Sequence, residues 1–264
     1  MTIPITSRPA FFSGRQLIVA LGVCLMLSDA YAGAAPGGCE NCHGDPKYFV
    51  QYQKLFRYYQ DWLTSPHQQA GLSCDDCHGG DPTATDMAAA HQGIVPMISP
   101  LSGLFYRNQP DTCGKCHEKE ATQFKESSHY KGLKQRIGAP ACTTCHSAMN
   151  RKPYYRDIVE ITCRVCHYEN NPGELPMVAE KANEILHRLN IAKGYLNWTR
   201  IYYESRGWPN DSKALVDSLN RQYGAIITQG HTFDLRNTDQ ASIDLLVSLK
   251  AIYRQTADEL RDKE

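Results

Sequence analysis

The 264-residue sequence lacks two features that would restrict its partners at once. It has no net charge, because 28 Lys and Arg residues balance 28 Asp and Glu residues, and this composition gives no support to nucleic-acid binding. It also lacks an uninterrupted apolar run of the ~20 residues that a membrane-spanning helix needs. With 42% hydrophobic and 21% charged residues, the chain is typical of a globular protein rather than a disordered tail.

The residues present in unusual number are 11 cysteines and 10 histidines. An odd number of cysteines does not fit a fully paired disulfide framework. Chains that stay in the cytosol rarely carry so many cysteines without a metal or a cofactor. We therefore expect the function of the chain to follow from where these residues fall.

Residues 1–32 are typical of a secretory signal peptide. Arg8 and Arg15 lie before the apolar run Leu17–Leu27, and Ala30–Ala32 suits a cleavage site. The alternative is an uncleaved membrane anchor, but the run is shorter than a spanning helix requires. We expect cleavage, which leaves the mature chain in the periplasm or outside the cell with no stable membrane anchor.

Cys24 lies inside this apolar run. Its surroundings resemble a lipoprotein box only loosely, because Val23 is larger than the small residue expected before the cysteine. Cleavage of the signal therefore removes the odd cysteine, and the mature chain begins near Gly33 with ten.

Those ten cysteines form five copies of the pattern C-x-x-C-H. The copies are Cys39, Cys42 and His43; Cys74, Cys77 and His78; Cys113, Cys116 and His117; Cys142, Cys145 and His146; and Cys163, Cys166 and His167. This pattern is the attachment signature of c-type haem. Two thiols at this spacing form thioethers with one porphyrin, and the adjacent histidine becomes the proximal ligand of the iron. Zinc ribbons and redox-active dithiols also use C-x-x-C, but neither needs a histidine directly after the second cysteine. In this chain such a histidine is present in all five copies. The sequence therefore predicts five haem c groups and their iron.

Residues 33–170 hold all five motifs, which we predict to form a pentahaem c-type cytochrome domain. The segment is too short to enclose each porphyrin in its own domain, since a stable core needs at least ~40 residues. The haems must therefore share walls, with a short helix at each motif and irregular links between them. The motifs at Cys142 and Cys163 are closest in sequence and are the best candidates for a stacked pair.

Residues 171–264 contain no cysteine, and we predict a helical domain packed on the haems. Apolar residues recur at helical spacing over 178–201, 215–227 and 243–260. Asn237 and Gln240 suggest a capping box at the start of the third helix. The predicted fold class is mainly α with much irregular structure, a multihaem cytochrome c core followed by an antiparallel helical bundle.

The sixth ligand of each iron decides whether a haem carries electrons or has an open position for a substrate. Five histidines lie outside the motifs and match the haems in number: His67, His91, His129, His187 and His231. We predict them as distal ligands, because imidazole suits iron. Four methionines are alternative ligands that would raise the potential: Met87, Met97, Met149 and Met177.

The residues from Phe124 to Met149, with the Gly230-His231 turn between two helices, resemble two haem-packing families. Residues 124–149 resemble the octahaem hydroxylamine oxidoreductases, and the helical tail resembles both those enzymes and the pentahaem nitrite reductases. The resemblance covers about residues 124–264 and implies a shared way of packing haems beside a helical tail, with His231 as a distal ligand. In the nitrite reductases the catalytic haem uses a C-x-x-C-K motif, whereas every motif here ends in histidine. Substrate reduction is therefore not implied.

The leading interpretation is a periplasmic electron carrier that relays electrons through five haems to or from a redox partner protein. Candidate partners are a membrane quinol oxidase and a terminal reductase. The alternative is an oxidoreductase with one open haem that acts on nitrite, hydroxylamine or a sulfur compound. Tyrosines and arginines near the haem segment could line such a pocket: Arg151, Tyr154, Tyr155 and Arg156. A conducting filament of joined haem domains is a third possibility, and the sequence assigns no catalytic residue.

Overall fold

The computed structural model describes residues 38–135, 138–147, 156–168, 177–209 and 212–261. The predicted signal peptide, the boundary between the two predicted domains, and Met149, Arg151, Tyr154 and Tyr155 lie outside these ranges. The described residues form helices and irregular segments, with no strand among them. This agrees with the predicted fold class, mainly α with much irregular structure.

The cysteine-rich part consists of short helices separated by turns. The first five are α1 (Gly38–His43), α2 (Tyr48–Gln51), α3 (Gln53–Leu63), α4 (Pro66–Gln69) and α5 (Asp75–His78). They are followed by α6 (Met87–Ala90), α7 (Gln109–Cys113), α8 (Glu118–Glu126), α9 (Ser128–Lys134), α10 (Cys142–His146) and α11 (Arg156–Arg164). The prediction of a short helix at each motif holds for α1, α5 and α10. The motifs at Cys113 and Cys163 instead begin at the last turn of a helix and continue through a turn.

The motifs at Cys74, Cys113 and Cys163 nevertheless have the same local hydrogen bond. The backbone N–H of the histidine donates to the carbonyl of the first cysteine, over 2.9 Å at His78, 2.9 Å at His117 and 2.8 Å at His167. Such an i to i−4 bond closes one helical turn. One turn places the two thiols and the imidazole on neighbouring positions, which is the arrangement that a single porphyrin requires.

The cysteine-free tail forms three long helices. These are α12 (Val178–Arg206), α13 (Ser212–Gln229) and α14 (Leu235–Arg261), with a short 3₁₀ turn at Gly230–Thr232. Their facing stripes bury one continuous apolar core: Ile185, Leu189, Ala192, Leu196, Val216, Leu219, Ile226, Leu245 and Leu249. The three predicted stripes therefore contribute to a helical bundle, as the sequence suggested.

The start of α14 differs from the predicted capping box at Asn237. The helix begins at Leu235, and the Asp234 carboxylate accepts the backbone N–H of Asn237 at 3.2 Å and its side-chain amide at 2.6 Å. A carboxylate suits the first turn because four N–H groups there have no partner within the helix. The capping residue is thus three positions earlier than expected.

A polar cluster joins α12 to α14 beside the core. Arg188 donates to Asp239 and to Ser242 at 2.7 Å each, and Lys181 donates to Asp239 at 3.1 Å. Burial acts to raise the pKa of the Asp239 carboxyl, but these hydrogen bonds outweigh burial and hold it below its usual value. The cluster fixes the lengthwise register of the two helices, because each cation must meet one carboxylate.

A second polar contact joins the cysteine-rich part to the bundle. The Asn183 amide of α12 donates to Glu160 of α11 at 2.9 Å, and Arg164 of α11 pairs with Glu180 of α12. The last motif therefore lies against the bundle. Within the ranges given above, no helix is both long enough and apolar enough to cross a membrane.

The core of the bundle predicts a contrast between two positions on α14. Leu249 is 1% exposed inside the core, whereas Val247 is 62% exposed. We expect Leu249→Ala to lower the free energy of unfolding by about 2–5 kcal/mol, because the change removes buried surface and leaves a cavity. Val247→Ala is the matched control and should change it by less than ~0.5 kcal/mol. Denaturant unfolding followed by circular dichroism measures both, and equal effects would contradict the packing described.

Candidate functional site

Four of the five motif histidines face a histidine from outside the motifs. The distance between the two ring centres is nearly the same in all four pairs. The planes of the two rings are nearly perpendicular in three pairs and nearly parallel in the fourth. The pairs are His43 with His91 (6.0 Å, 71°), His117 with His67 (6.2 Å, 71°), His167 with His129 (6.0 Å, 70°) and His146 with His231 (6.0 Å, 7°).

This separation fits an iron ion held between the two rings. A bond from a metal to an imidazole nitrogen is about 2.0–2.1 Å long. Two such bonds on opposite faces of one iron, with about 1 Å from each nitrogen to its ring centre, place the ring centres about 6 Å apart. Four separate pairs at this distance, each containing one motif histidine, show that the side chains present fit axial ligation of haem.

His91 is oriented by the short helix before it. The Asp86 carboxylate caps α6 by accepting the N–H of Ala89 at 2.9 Å. The Nδ1 atom of His91 then donates to the carbonyl of Met87 at 2.7 Å. Because a carbonyl can only accept, this bond assigns the proton to Nδ1 and leaves the Nε2 lone pair available for a metal.

His231 is held in the same manner by the turn that ends α13. Its Nδ1 atom lies 3.1 Å from the carbonyls of both Ile227 and Thr228, so Nδ1 carries the proton and Nε2 is available to a metal. The Thr228 hydroxyl donates to Glu120 of α8 at 2.9 Å. The bundle therefore supplies one histidine to the cysteine-rich part, and a hydrogen bond fixes the position from which it does so.

His67 lies in α4, a single turn whose start is fixed from both sides. Ser65 caps it by accepting the N–H of Gln68 at 3.2 Å, and Pro66 occupies the first helical position. The indole N–H of Trp62 donates to the carbonyl of Leu72 at 3.0 Å and fixes the segment at its far end. The ring of His67 is thus presented by a rigid turn.

His129 lies in the first turn of α9, which Ser127 caps. The Ser127 hydroxyl accepts the N–H of Tyr130 at 3.1 Å and donates to the carbonyl of Phe124 at 2.6 Å. The ring of Phe233 meets that of His129 edge-on, with 4.2 Å between the centres. Phe233 has a φ of 59°, an uncommon value for a residue with a side chain, and it lies two residues after His231. One short segment therefore contacts the rings of two pairs.

The motifs lie next to one another in the order of the sequence. Burial and the nearby thiol of Cys39 raise the pKa of Cys74 to about 11, and burial together with Cys113 raises the pKa of Cys77. A hydrogen bond with Cys142 raises the pKa of Cys113. Burial and the neighbouring Cys163 raise the pKa of Cys145 to about 11. Each motif therefore interacts with the next one along the chain.

Two contacts fix neighbouring motifs to each other. The buried Gln109 side chain accepts from both the backbone N–H and the hydroxyl of Thr143, at 3.1 and 3.0 Å, which joins α7 to α10. At the other end, the N–H of Gly38 donates to the carbonyl of Pro82 at 2.6 Å. A Cβ atom on Gly38 would lie 2.7 Å from that oxygen, so only glycine permits this approach.

Two of the ten histidines are in no such pair. Every histidine of the chain lies in the described ranges, and His78 and His187 make no ring contact with another histidine. His187 is exposed on α12. The distal role of His187 therefore stays a prediction, and its position in the structure does not support it.

The structure assigns no role to the methionines and to the arginine that the sequence suggested as alternative ligands and pocket residues and that lie in the described ranges. Met87, Met97 and Met177 are exposed. For Arg156, only the backbone is described. Within the described ranges, no group of three or more histidine, cysteine or acidic side chains could hold a bare metal ion.

Sequence reasoning did not identify the residues that orient the histidines. Ser65, Asp86 and Ser127 each precede a histidine by two to five positions and cap the turn that carries it. A cap residue shortly before a histidine outside the motifs was therefore a usable signal. Gln109 and Phe233 had no comparable signal, because their contacts join residues far apart in sequence.

Comparison with protein families matches residues 66–168 to the family described as Cytochrome c3. The matched segment contains four of the five motifs and less than half of the chain. No solved structure is significantly similar to the chain.

The chain is 26% identical over 175 residues to the C-type polyheme cytochrome OmcB of Geobacter sulfurreducens, from each of two strains. That alignment covers 51% of this chain and 21% of the relative. The C-type polyheme cytochrome OmcC of the same organism is 26% identical over 137 residues, which cover 44% of this chain and 16% of the relative. The chain thus spans about a fifth of the length of these relatives.

These relatives are polyhaem cytochromes, and the resemblance to hydroxylamine oxidoreductases and nitrite reductases stays a prediction. The matched relatives, the segment that matches Cytochrome c3 and the repeated motifs all indicate the same class of protein. Together they support the assignment of the chain as a multihaem c-type cytochrome.

Proposed function

We propose that the chain is an exported, periplasmic electron carrier that holds five haem c groups and relays electrons along them. The observation that carries the proposal is the set of four histidine pairs with ring centres 6.0–6.2 Å apart. A haem with an imidazole on each face has no open position for a substrate, and it changes oxidation state without changing its ligands. The names of the relatives, polyhaem cytochromes, agree with this role.

The contribution of the protein is to set the order and the spacing of the haems. Cysteines of neighbouring motifs lie close to one another: Cys39 to Cys74, Cys77 to Cys113, Cys113 to Cys142, and Cys145 to Cys163. This proximity supports a relay in which electrons pass between the haems of neighbouring motifs. Each bound haem supplies one-electron Fe(III)/Fe(II) chemistry, and two imidazole ligands set a lower potential than histidine with methionine would.

A redox partner protein is part of this proposal. The ten propionates of five haems would add about ten negative charges if all ionise, so the assembled surface is more acidic than the neutral polypeptide. Encounters between electron-transfer proteins use small interfaces that bury less than about 1,200 Å². We therefore expect a basic docking surface on the partner and binding that weakens as salt is added.

The haem content is the first test. We expect the purified, exported protein to carry five haems per chain, because every one of its motif cysteines is used in attachment. A pyridine haemochrome assay against protein concentration, with intact-mass measurement, gives the number. The mass would also show loss of residues 1–32. Fewer than five haems in the fully matured protein would contradict the proposal.

The pairing of His129 with His167 is the second test. His129→Ala removes one imidazole from a pair at 6.0 Å, so we expect one low-spin haem to become high-spin. Electron paramagnetic resonance of the oxidised protein measures the change. Ser128→Ala, one residue earlier on the same helix, is the matched control and should leave the spectrum as it is. An unchanged spectrum for His129→Ala would exclude His129 as a ligand.

The angles between the rings give a third prediction. Two perpendicular imidazoles interact equally with the two iron d orbitals that can form π bonds with them, dxz and dyz, whereas two parallel imidazoles split the energies of these orbitals. The first three pairs are near 70° and the pair of His146 with His231 is at 7°. We expect three highly anisotropic low-spin signals and one rhombic signal in the resonance spectrum. The rhombic signal should be lost in His231→Ala, and its survival would contradict this assignment.

A further inference from the structure

We propose that the haem attached at Cys74 and Cys77 is open on its distal face and binds a small exogenous ligand of the carbon monoxide class. The inference rests on the proposed function, since it requires haem at all five motifs. It assigns a ligand site within the relay, at the one motif whose histidine, His78, is in no pair.

The histidine count restricts what can lie opposite His78. All ten histidines are in the described ranges, and eight of them form the four pairs. Those pairs use the other four motif histidines and four of the five candidates. His187 is therefore the only remaining histidine of the chain that could serve His78.

His187 lies on α12, and within the described residues no ring contact joins it to His78. Ile185 and Leu189, two residues to either side, are 3% and 2% exposed in the core of the bundle. Two residues correspond to a rotation of about 200° around a helix. His187 accordingly points away from the core that its neighbours form, and it is exposed. The four paired candidates, in contrast, each meet a motif histidine.

The surroundings of His78 place this haem beside the first pair. The turn after α5 uses two glycines in the left-handed region, with φ of 72° at Gly79 and 93° at Gly80. Asp81 then donates its N–H to the carbonyl of Ala90 at 3.1 Å, and Ala90 precedes His91. A Cβ atom on Gly80 would lie 2.5 Å from that same carbonyl, so the turn is closely packed. The proximal side of this haem is thus fixed by backbone contacts.

The chemistry of the site would be ligand addition at the free face of the haem held by Cys74, Cys77 and His78. Carbon monoxide would add to Fe(II), and cyanide would add to Fe(III) with release of the proton of hydrogen cyanide; one iron–carbon bond would form, and the iron would keep its oxidation state. The second motif lies between the first and the third in the order of neighbouring cysteines. A ligand that favours Fe(II) at this position would therefore slow the passage of electrons between the first haem and the others.

Carbon monoxide titration of the reduced, full-length holoprotein tests the number of open haems. We expect a bound stoichiometry of one per chain in the difference spectrum. No binding by a protein that carries five haems would overturn this inference and leave the proposed relay intact. Fewer than five haems would instead contradict the proposed function itself.

Two variants test the assignment by changing that stoichiometry in opposite ways. His91→Ala opens the haem paired with His43, so bound carbon monoxide should rise from one to two per chain. His187→Ala should leave it at one. If the unmodified protein binds none and His187→Ala binds one, then His187, from the same or a second copy, is the ligand and the site is not open.

A structure of the ligand complex locates the site without any substitution. Cyanide added to crystals of the oxidised holoprotein should appear on the iron opposite His78. Cyanide on the iron of any of the four paired haems, or a methionine sulfur opposite His78, would overturn the assignment.

Discussion

In the proposed electron carrier, the cysteine-rich half of the protein depends on the bond between imidazole nitrogen and iron. Its described residues bury few apolar side chains of their own: Trp62, Phe124, Leu133 and Ala141. The helices there are one to three turns long, and helices of that length are not stable in isolation. What these turns do instead is present a thiol pair or a capped histidine at a defined place. In the proposed cytochrome, shared porphyrins would provide the apolar core that these residues do not form, and the ligand pairs would determine which turns meet.

The pairing also interlocks the chain. His91 lies after the second motif and meets the histidine of the first, whereas His67 lies before the second motif and meets the histidine of the third. His129 reaches forward to the last motif, and His231 reaches back from the bundle. Because no pair lies within one local segment, each iron bound between a pair would close a loop of the polypeptide. Closing such loops restricts the unfolded chain, so ligation would contribute to the stability of the fold as well as to its redox chemistry.

Much of this arrangement can be predicted from the sequence, and the rest cannot, for physical reasons that can be identified. The motifs and the helical tail are local patterns, so composition, spacing and periodicity predict them. The partner of each histidine depends on contacts over 38 to 85 residues of chain, and no local pattern encodes these, as His231 with His146 illustrates. The distal role of His187 stays a prediction: the apolar periodicity that places Ile185 and Leu189 in a core places His187 on the opposite face of the same helix, outside the four pairs.

The two halves differ in what each requires to fold, and this difference gives the bundle a second role. The bundle has its own apolar core and its own ion pairs at Arg188 and Asp239, so it can form without a cofactor. Its end presents His231 with the proton already on Nδ1, held by two backbone carbonyls. A ligand fixed in this way loses little conformational freedom when it binds iron. The bundle would therefore act as a rigid support that supplies one ligand in advance, and Phe233, two residues after His231, extends that support to His129.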